Sequence, residues 1–417
     1  MSIRVDDIRA CMEGAIPGVI ATCAPDGTPN LSLFSQVEYV DAEHVALSFQ
    51  FFNKTRENVL RNPHVTVNVP HPYTGATYRL ELEYLRTEVE GPLFERMKAK
   101  LAGIASHEGM SDVFRLKGSD IYRVHRIVQL PGDYPSPPHN SRNLLAAART
   151  YADHVGRCTD LNELLDVTLA DIDALFGIQH AMILMLDASG DHLYTVASRG
   201  YAESGTGSEV PADRGIIGVA VRARCPIRIS FTAPEYSYSR AIREQLAHSE
   251  HACMLETAIP FPGLDAPRSQ LAVPIVAPQR TLGAIYADSD ANMRFSYEDE
   301  DALMIVAAQL GTAARTLAAL AAEPEAAAPR PMRGAAKTNG SVVVRHFTEN
   351  HSVFLGDTYL IKGVAGAIFW KLVNDYSQTG RRDFTNKELR LDPKLRFPDI
   401  NDNLEARLIL LQRRLSE

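Results

Sequence analysis

Cysteine is scarce and scattered: Cys11, Cys23, Cys158, Cys225 and Cys253 are the only five, and none forms a Cys-x-x-Cys pair. Neither a disulfide framework nor a cysteine-rich zinc site is indicated. No apolar run reaches the roughly 18–20 residues needed to span a bilayer. The opening MSIRVDDIRACMEGAIPG also lacks the apolar stretch of a signal peptide. The expectation is a cytoplasmic chain with no membrane partner. Strong positive charge is missing too: the net charge is −8, and residues 341–417 carry 12 Lys and Arg against 10 Asp and Glu. A self-sufficient nucleic-acid binder carries a much stronger basic footprint.

What is present is ordinary globular material, 45% hydrophobic and 23% charged, in a chain of 417 residues. At about 100–200 residues per domain, that length predicts two to four cores. The stretch AAEPEAAAPRPMRGAAKTNG, residues 321–340, is too rich in Ala, Pro and Gly to build a core and reads as a linker. A weaker break falls at LPGDYPSPPHNS, residues 130–141. The predicted units are therefore 1–135, 142–320 and 341–417, and the fold class is multidomain α+β.

The first unit is rich in strands. GVIATCAPDGTPNLSLFSQVEYV reads as two strands joined at Asp26-Gly27, a dipeptide suited to a hairpin turn, and HVALSFQFF follows as a third. FFNKTRENVLRNPHV then opens an amphipathic helix with Asn53 as a cap and Lys54, Thr55 and Arg56 in the first turn. Unpaired N–H groups and the positive end of the helix dipole make such a start an anion cradle; a capped surface helix with solvated charges is the other reading. Further strands and short helices complete the pattern of a small antiparallel barrel.

The order PGVIAT, DGTPN, HVALSFQFFNKTRENVLRNPHVTV, YRLELE, EGPLFERM resembles the pyridoxamine 5′-phosphate oxidase-like family of FMN-binding split barrels, over about residues 14–130. That resemblance implies an N-terminal antiparallel split β-barrel in which Lys54 and Thr55 hold the FMN phosphate. It places Ser48 and Gln50 along the flavin and offers Arg79 from the strand after the helix. It also implies a homodimer, because split barrels of this kind pair across the flavin site. Two departures bear on activity. Ser32 stands about where catalytic members carry an arginine, and the substrate-binding Trp and Arg of the true oxidases have no counterpart. Both weaken substrate recognition more than cofactor binding. Haem is the alternative cofactor, with His64, His71 and His125 as the available histidines.

In the second unit, DRGIIGVAVRARCPIRI, LAVPI, LGAIYADS and a final helix after FSYEDED are similar to GAF domains over about residues 143–318. The resemblance implies a central α/β sandwich that takes a small-molecule ligand of unknown identity. Between these motifs, His248, His251 and Cys253 have the spacing of three soft metal ligands, but a polar lid with incidental histidines explains them without a metal. Cys225 reads as a buried small residue.

The third unit predicts short strands, a helix ending at Gly380, a second helix capped by Thr385 or Asn386, and the final helix INDNLEARLILLQRRLSE. There, Leu404, Leu408, Leu411 and Leu415 share one face, with Arg407, Arg413 and Arg414 on the basic side. This order resembles the winged helix-turn-helix effectors of bacterial response regulators, which implies DNA or partner contact through those three arginines. No sequence follows for a wing hairpin, so a docking or dimerising module is the second reading. Together the units read as an FMN-binding sensory or regulatory protein with a C-terminal output for DNA or a protein. An FMN-dependent oxidoreductase regulated by its GAF domain is the alternative.

Overall fold

The computed structural model describes residues 3–12, 18–49, 54–107, 116–136, 142–187, 189–229, 261–278, 280–322, 342–348, 351–356, 358–392, 395 and 404–416. Gln50, Asn53, His248, His251, Cys253 and nearly all of the linker lie outside the described residues.

The N-terminal unit is a seven-stranded antiparallel sheet in the order β2-β1-β5-β6-β7-β4-β3. Its strands are β1 (Gly18–Cys23), β2 (Pro29–Phe34), β3 (Val37–Tyr39), β4 (His44–Phe49), β5 (His64–Pro70), β6 (Thr77–Glu88) and β7 (Gly118–Gln129). The Asp26-Gly27 turn joins β1 to β2 as expected. Gly27 takes φ +85°, and the Thr28 N–H donates to Asp26 Oδ1 at 2.9 Å. The segment read as two strands contains three, because the short β3 breaks away to pair with β4. Alternation sets the core: Val65, Val67 and Val69 of β5 are buried while the residues between them are not. They join Val45, Leu47, Leu80, Leu82 and Tyr122 inside the sheet. Two helices interrupt the strands, α1 (Lys54–Arg61) and α2 (Pro92–His107).

The second unit has a six-stranded antiparallel sheet in the order β10-β9-β8-β13-β12-β11. Its strands are β8 (His180–Leu186), β9 (His192–Arg199), β10 (Glu209–Pro211), β11 (Ile227–Ile229), β12 (Ser269–Ala277) and β13 (Arg280–Ser289). The helices α3 (Leu144–Val155), α4 (Leu161–Ala174) and α6 (Tyr297–Ala322) cover one face, and α5 (Gly215–Ala223) the other. With both faces covered, β8, β12 and β13 are buried almost continuously instead of alternating. Within α6, Tyr297–Leu320 is long and apolar enough to cross a membrane, with a mean hydropathy of 1.5. The expectation that no apolar stretch is long enough to span a bilayer therefore does not hold for this segment by length and composition. Leu303, Val306, Ala307 and Leu310 of this helix are buried in the domain's core.

The third unit is a three-stranded sheet, β14 (Val344–Phe347), β15 (Ser352–Leu355) and β16 (Thr358–Ile361). It is followed by α7 (Gly363–Thr379), α8 (Asn386–Leu391) and α9 (Leu404–Ser416). Gly380 caps α7 in the left-handed region, and Thr385 caps α8 by accepting the Glu388 N–H. The placement of α9 differs from the one-sided amphipathic helix expected. Leu404, Ala406, Ile409, Leu410 and Leu411 are all buried, and Leu415 is exposed. Ala406, Ile409 and Leu410 add a second apolar side, so the helix is covered on two sides and its core is continuous with that of the middle unit.

The barrel meets the middle unit through α2, which packs on α5 and β11. Ala99 enters that core, and a Cβ on Gly103 would lie 2.4 Å from Ile227 Cγ2. A chain of charges, buried except at Arg96, runs beside this contact. Glu38 of β3 accepts from Arg96 Nε at 3.0 Å and Lys100 Nζ at 3.1 Å. Lys100 also lies 3.8 Å from Glu300 of α6, which Arg228 of β11 meets at 3.0 Å. Replacing Gly103 by Val overpacks the junction, and we expect it to cost about 1–3 kcal/mol. An unaltered urea midpoint in that variant would show that the two units do not pack here.

Candidate functional site

The end of β4, the head of α1 and β2 enclose a cleft of about 90 Å³. Ser48 and Thr55 line it, as do Ser32, Arg56 and Asp120. Thr55 is fixed from β2: Asn30 Nδ2 donates to its Oγ1 at 2.9 Å. One turn on, Asn58 donates to Thr22 Oγ1 of β1 at 3.1 Å inside the barrel wall. These two bonds anchor α1 and set the position of its first turn.

Arg56 is the most constrained group in the cleft. Its Nη1 donates to Asp120 Oδ2 at 2.5 Å and its Nη2 to Thr87 Oγ1 at 2.6 Å. Thr87 in turn donates to Asp120 Oδ1 at 2.6 Å and lies 2.7 Å from the Tyr84 hydroxyl. The guanidinium also sits over the rings of Phe49 and Tyr84, at 4.7 and 5.3 Å from their centroids. Burial pushes the Asp120 carboxyl above the usual carboxylate range, and the bonds from Thr87 and Arg56 pull it back only in part.

The sequence-derived residues are placed as follows. Ser48 and Thr55 share the cleft. Lys54 stands at the head of α1 with its side chain more than half exposed, 3.9 Å from Glu57. Arg79 is exposed on β6, opposite Asn68 of β5 and Val128 of β7, and does not line the cleft. His64 and His125 have ring centroids 6.4 Å apart on another part of the sheet, and His125 meets Glu83 at 3.0 Å. His71 accepts the backbone N–H groups of Tyr73 and Thr74, and burial lowers its basicity. Among the described residues, no group of three His, Cys, Asp or Glu side chains could hold a metal ion. Cys225 is buried, and desolvation pushes its thiol up to about 12.

The three C-terminal arginines are engaged within the chain. Arg407 is 9% exposed, with its guanidinium 4.0 Å from the centroid of the Tyr194 ring on β9. Arg413 donates to Asn162 Oδ1 at 2.9 Å and Asp166 Oδ1 at 2.7 Å, both on α4. Arg414 donates to the Leu360 carbonyl at 3.1 Å.

Sequence reasoning missed the partners of Arg56, because Thr87 and Asp120 lie far along the chain and only strand pairing brings them near. It also missed a buried carboxylate in the middle unit. Asp288 Oδ1 accepts from the Tyr201 hydroxyl at 2.9 Å and Oδ2 from the Leu264 N–H at 3.0 Å. Burial raises the pKa of both Asp288 and Tyr201.

Comparison with known proteins finds two families along the chain. Residues 5–125 match the family described as pyridoxamine 5′-phosphate oxidase, and residues 160–314 match the GAF domain. Over 109 residues the chain is 34% identical to the uncharacterized protein MJ0282 of Methanocaldococcus jannaschii, covering 71% of that protein and 24% of this one. The chain belongs to that protein's family. Two solved structures are also similar to parts of it. The GAF domain of an Acinetobacter phosphoenolpyruvate-protein phosphotransferase aligns at 18% identity over 42% of this chain and 95% of that one, with a TM-score of 0.33. An FMN-binding protein from Syntrophomonas wolfei aligns at 16% identity over 31% of this chain and 87% of that one, with a TM-score of 0.27. The chain thus joins a pyridoxamine 5′-phosphate oxidase-type domain to a GAF domain, a pairing that suggests a regulatory or sensory protein.

The Arg56–Asp120 pair supports a direct test. Arg56→Met leaves a buried carboxylate without its cation, and we expect a loss of about 3–5 kcal/mol in denaturant unfolding at neutral pH. Asp120 is then harder to ionise in the folded state, so it titrates above its unfolded value. The deficit is present above that raised pKa and shrinks as the pH falls through it. The double variant Arg56→Met/Asp120→Leu should recover most of the loss.

Proposed function

We propose that this chain is a cytoplasmic flavin-binding regulatory protein that acts as a homodimer. In this reading the N-terminal domain holds FMN, the GAF domain takes a small molecule, and the C-terminal unit passes on the result. The observation that carries the reading is the placement of Thr55 and Arg56 at the head of α1, in a cleft at the end of β4, inside a domain that matches the pyridoxamine 5′-phosphate oxidase family.

The donor set suits the phosphate end of FMN. A threonine hydroxyl, a guanidinium and the first turn of a helix are hard, fixed hydrogen-bond donors for a dianion. Lys54, exposed at the same turn, adds a mobile positive charge. The cleft of about 90 Å³ is small beside the roughly 300 Å³ and more of typical ligand sites, so one chain supplies only one wall for the ring. A second copy supplies the other. Val19, Leu31 and Leu33 are exposed beside the cleft on β1 and β2, and Val19 faces Leu33 across the ladder. Such an apolar stripe is the kind of surface that a partner covers. Ser48 and Gln50 position the ring, and Arg79, outside the cleft of its own chain, is left without a role in it. Bound FMN supplies a redox centre that exchanges one or two electrons. The protein's own part is to hold the phosphate and keep Arg56 compensated by Asp120.

The route to an output runs through the C-terminal unit. Its last helix is seated on α4 and β9 of the GAF domain, so a change in that domain alters what α9 rests on. Because Arg407 and Arg413 are engaged there, and Arg414 on the carbonyl of Leu360 in β16, we favour a protein partner over DNA for the output.

The visible spectrum of the purified protein tests the cofactor assignment. Flavin bands are expected, or their appearance after adding FMN and desalting. Thr55→Val and Lys54→Ala should each weaken FMN binding by about tenfold or more, the scale of a lost charge-assisted hydrogen bond. A colourless protein that takes up no added FMN would refute the assignment.

A further inference from the structure

The only tryptophan of the chain, Trp370 on α7, is stacked against a histidine. The His346 ring of β14 lies nearly parallel to it, with centroids 4.8 Å apart and 10° between the planes. The same histidine meets His351, in the turn before β15: Nε2 of His346 is 3.3 Å from Nδ1 of His351. The two imidazoles are themselves stacked, at 5.5 Å and 22°.

These rings fasten the end of a hairpin to a helix. His351 takes φ +56°, in the left-handed region that non-glycine residues rarely adopt. Its carbonyl oxygen rests on α7 at Gly366, where a Cβ would collide with it. Gly366 and Trp370 are four residues apart, on one face of α7. The hairpin of β14 and β15 therefore touches α7 at two points one turn apart, and each point belongs to one of the histidines.

The pair has no acid to share its charge. Among the described residues neither ring meets a carboxylate, and the one polar contact of each is with the other. Val353, directly opposite His346 on β15, is apolar and fully buried. On α7, Lys371 is tied to Asp375 at 2.9 Å and to Asp392 at 2.7 Å. Arg345 falls on the opposite face of β14 by strand alternation. Burial, and after it the charge of His351, makes His346 harder to protonate.

Neutral imidazoles suit this geometry, since one nitrogen donates and the other accepts. A single added proton suits it too: the shared bond becomes charge-assisted, and the indole face accepts the cation. A second proton does not. Both facing nitrogens then carry hydrogen, and two like charges oppose each other across 3.3 Å with no lone pair between them.

We propose that His346 and His351 form a proton-operated latch, which holds β14 on α7 while the pair is neutral or singly charged and releases it when both rings are charged. In the released strand both rings titrate near the ordinary histidine value of about 6.5. In the latch the second proton binds only at lower pH. The released state thus takes up more protons, so the latch is at full strength above about pH 6.5 and weakens as the pH falls below it. β14 is the first strand of the C-terminal unit, and the proposal does not rest on the flavin reading.

Trp370 emission and hydrogen exchange of residues 342–348, both in the full chain, test it, because no other tryptophan contributes. From about pH 8 to about pH 5, across the titration range of histidine, the emission should shift to the red as the indole gains water. Corrected for their intrinsic pH dependence, the β14 amides should exchange about tenfold faster for each unit by which the second protonation is depressed. Far-UV circular dichroism should hold steady, since one short strand moves. His351→Asn keeps a residue that tolerates the left-handed turn, and His346→Phe keeps a ring on Trp370. Neither variant retains a pair, so the red shift and the faster exchange should both be lost in each. The proposal is overturned if the unaltered chain shows neither change, or if His351→Asn or His346→Phe retains both. It is equally overturned if the red shift coincides with loss of the circular dichroism of the whole chain.

Discussion

Glu300 has two cations within reach, Arg228 of its own domain and Lys100 of the barrel, and all three are largely buried. Taking such charges out of water costs several kcal/mol each, so none can remain there without the others. Lys100 in turn meets Glu38 on β3. The apolar contact of α2 with α5 and β11 excludes water, and the charge chain permits only the alignment in which each charge finds its partner. The relative placement of the two domains follows from that constraint.

The constraint also ties the cleft in the barrel to the GAF domain. β3 pairs with β4, which ends in the cleft of Thr55 and Arg56. β11, at the other end of the chain of charges, is an edge strand of the GAF sheet. A shift of β3 or β11 therefore has to move, or break, an ion pair that is expensive to break. Rigid coupling of this kind suits transmission between domains better than independent binding. Arg56 obeys the same rule locally: it is held between two rings and tied to a buried carboxylate, which keeps a positive charge beside the cleft in the absence of any ligand.

The C-terminal unit shows how far local pattern can mislead. A leucine every three or four residues on α9 pointed to one buried stripe and a free basic side. The neighbours of those leucines, Ala406, Ile409 and Leu410, are also apolar, and the tertiary packing uses them. Arg407 is carried into the interface and compensated by the face of Tyr194, while Arg413 finds its acceptors on α4.

The sequence by itself determined what depends on neighbours along the chain: the turn at Asp26-Gly27, the caps at Gly380 and Thr385, the strand alternation, and the helix start at Lys54 and Thr55. Short-range sterics and periodicity decide these, and both can be read in order. Tertiary structure alone decided which charges meet. Asp120 lies 64 residues from Arg56, and Arg413 lies 251 from Asn162. No local spacing encodes such pairs. They form because burying the intervening apolar strands and helices leaves each charge only one place in which its partner is within reach.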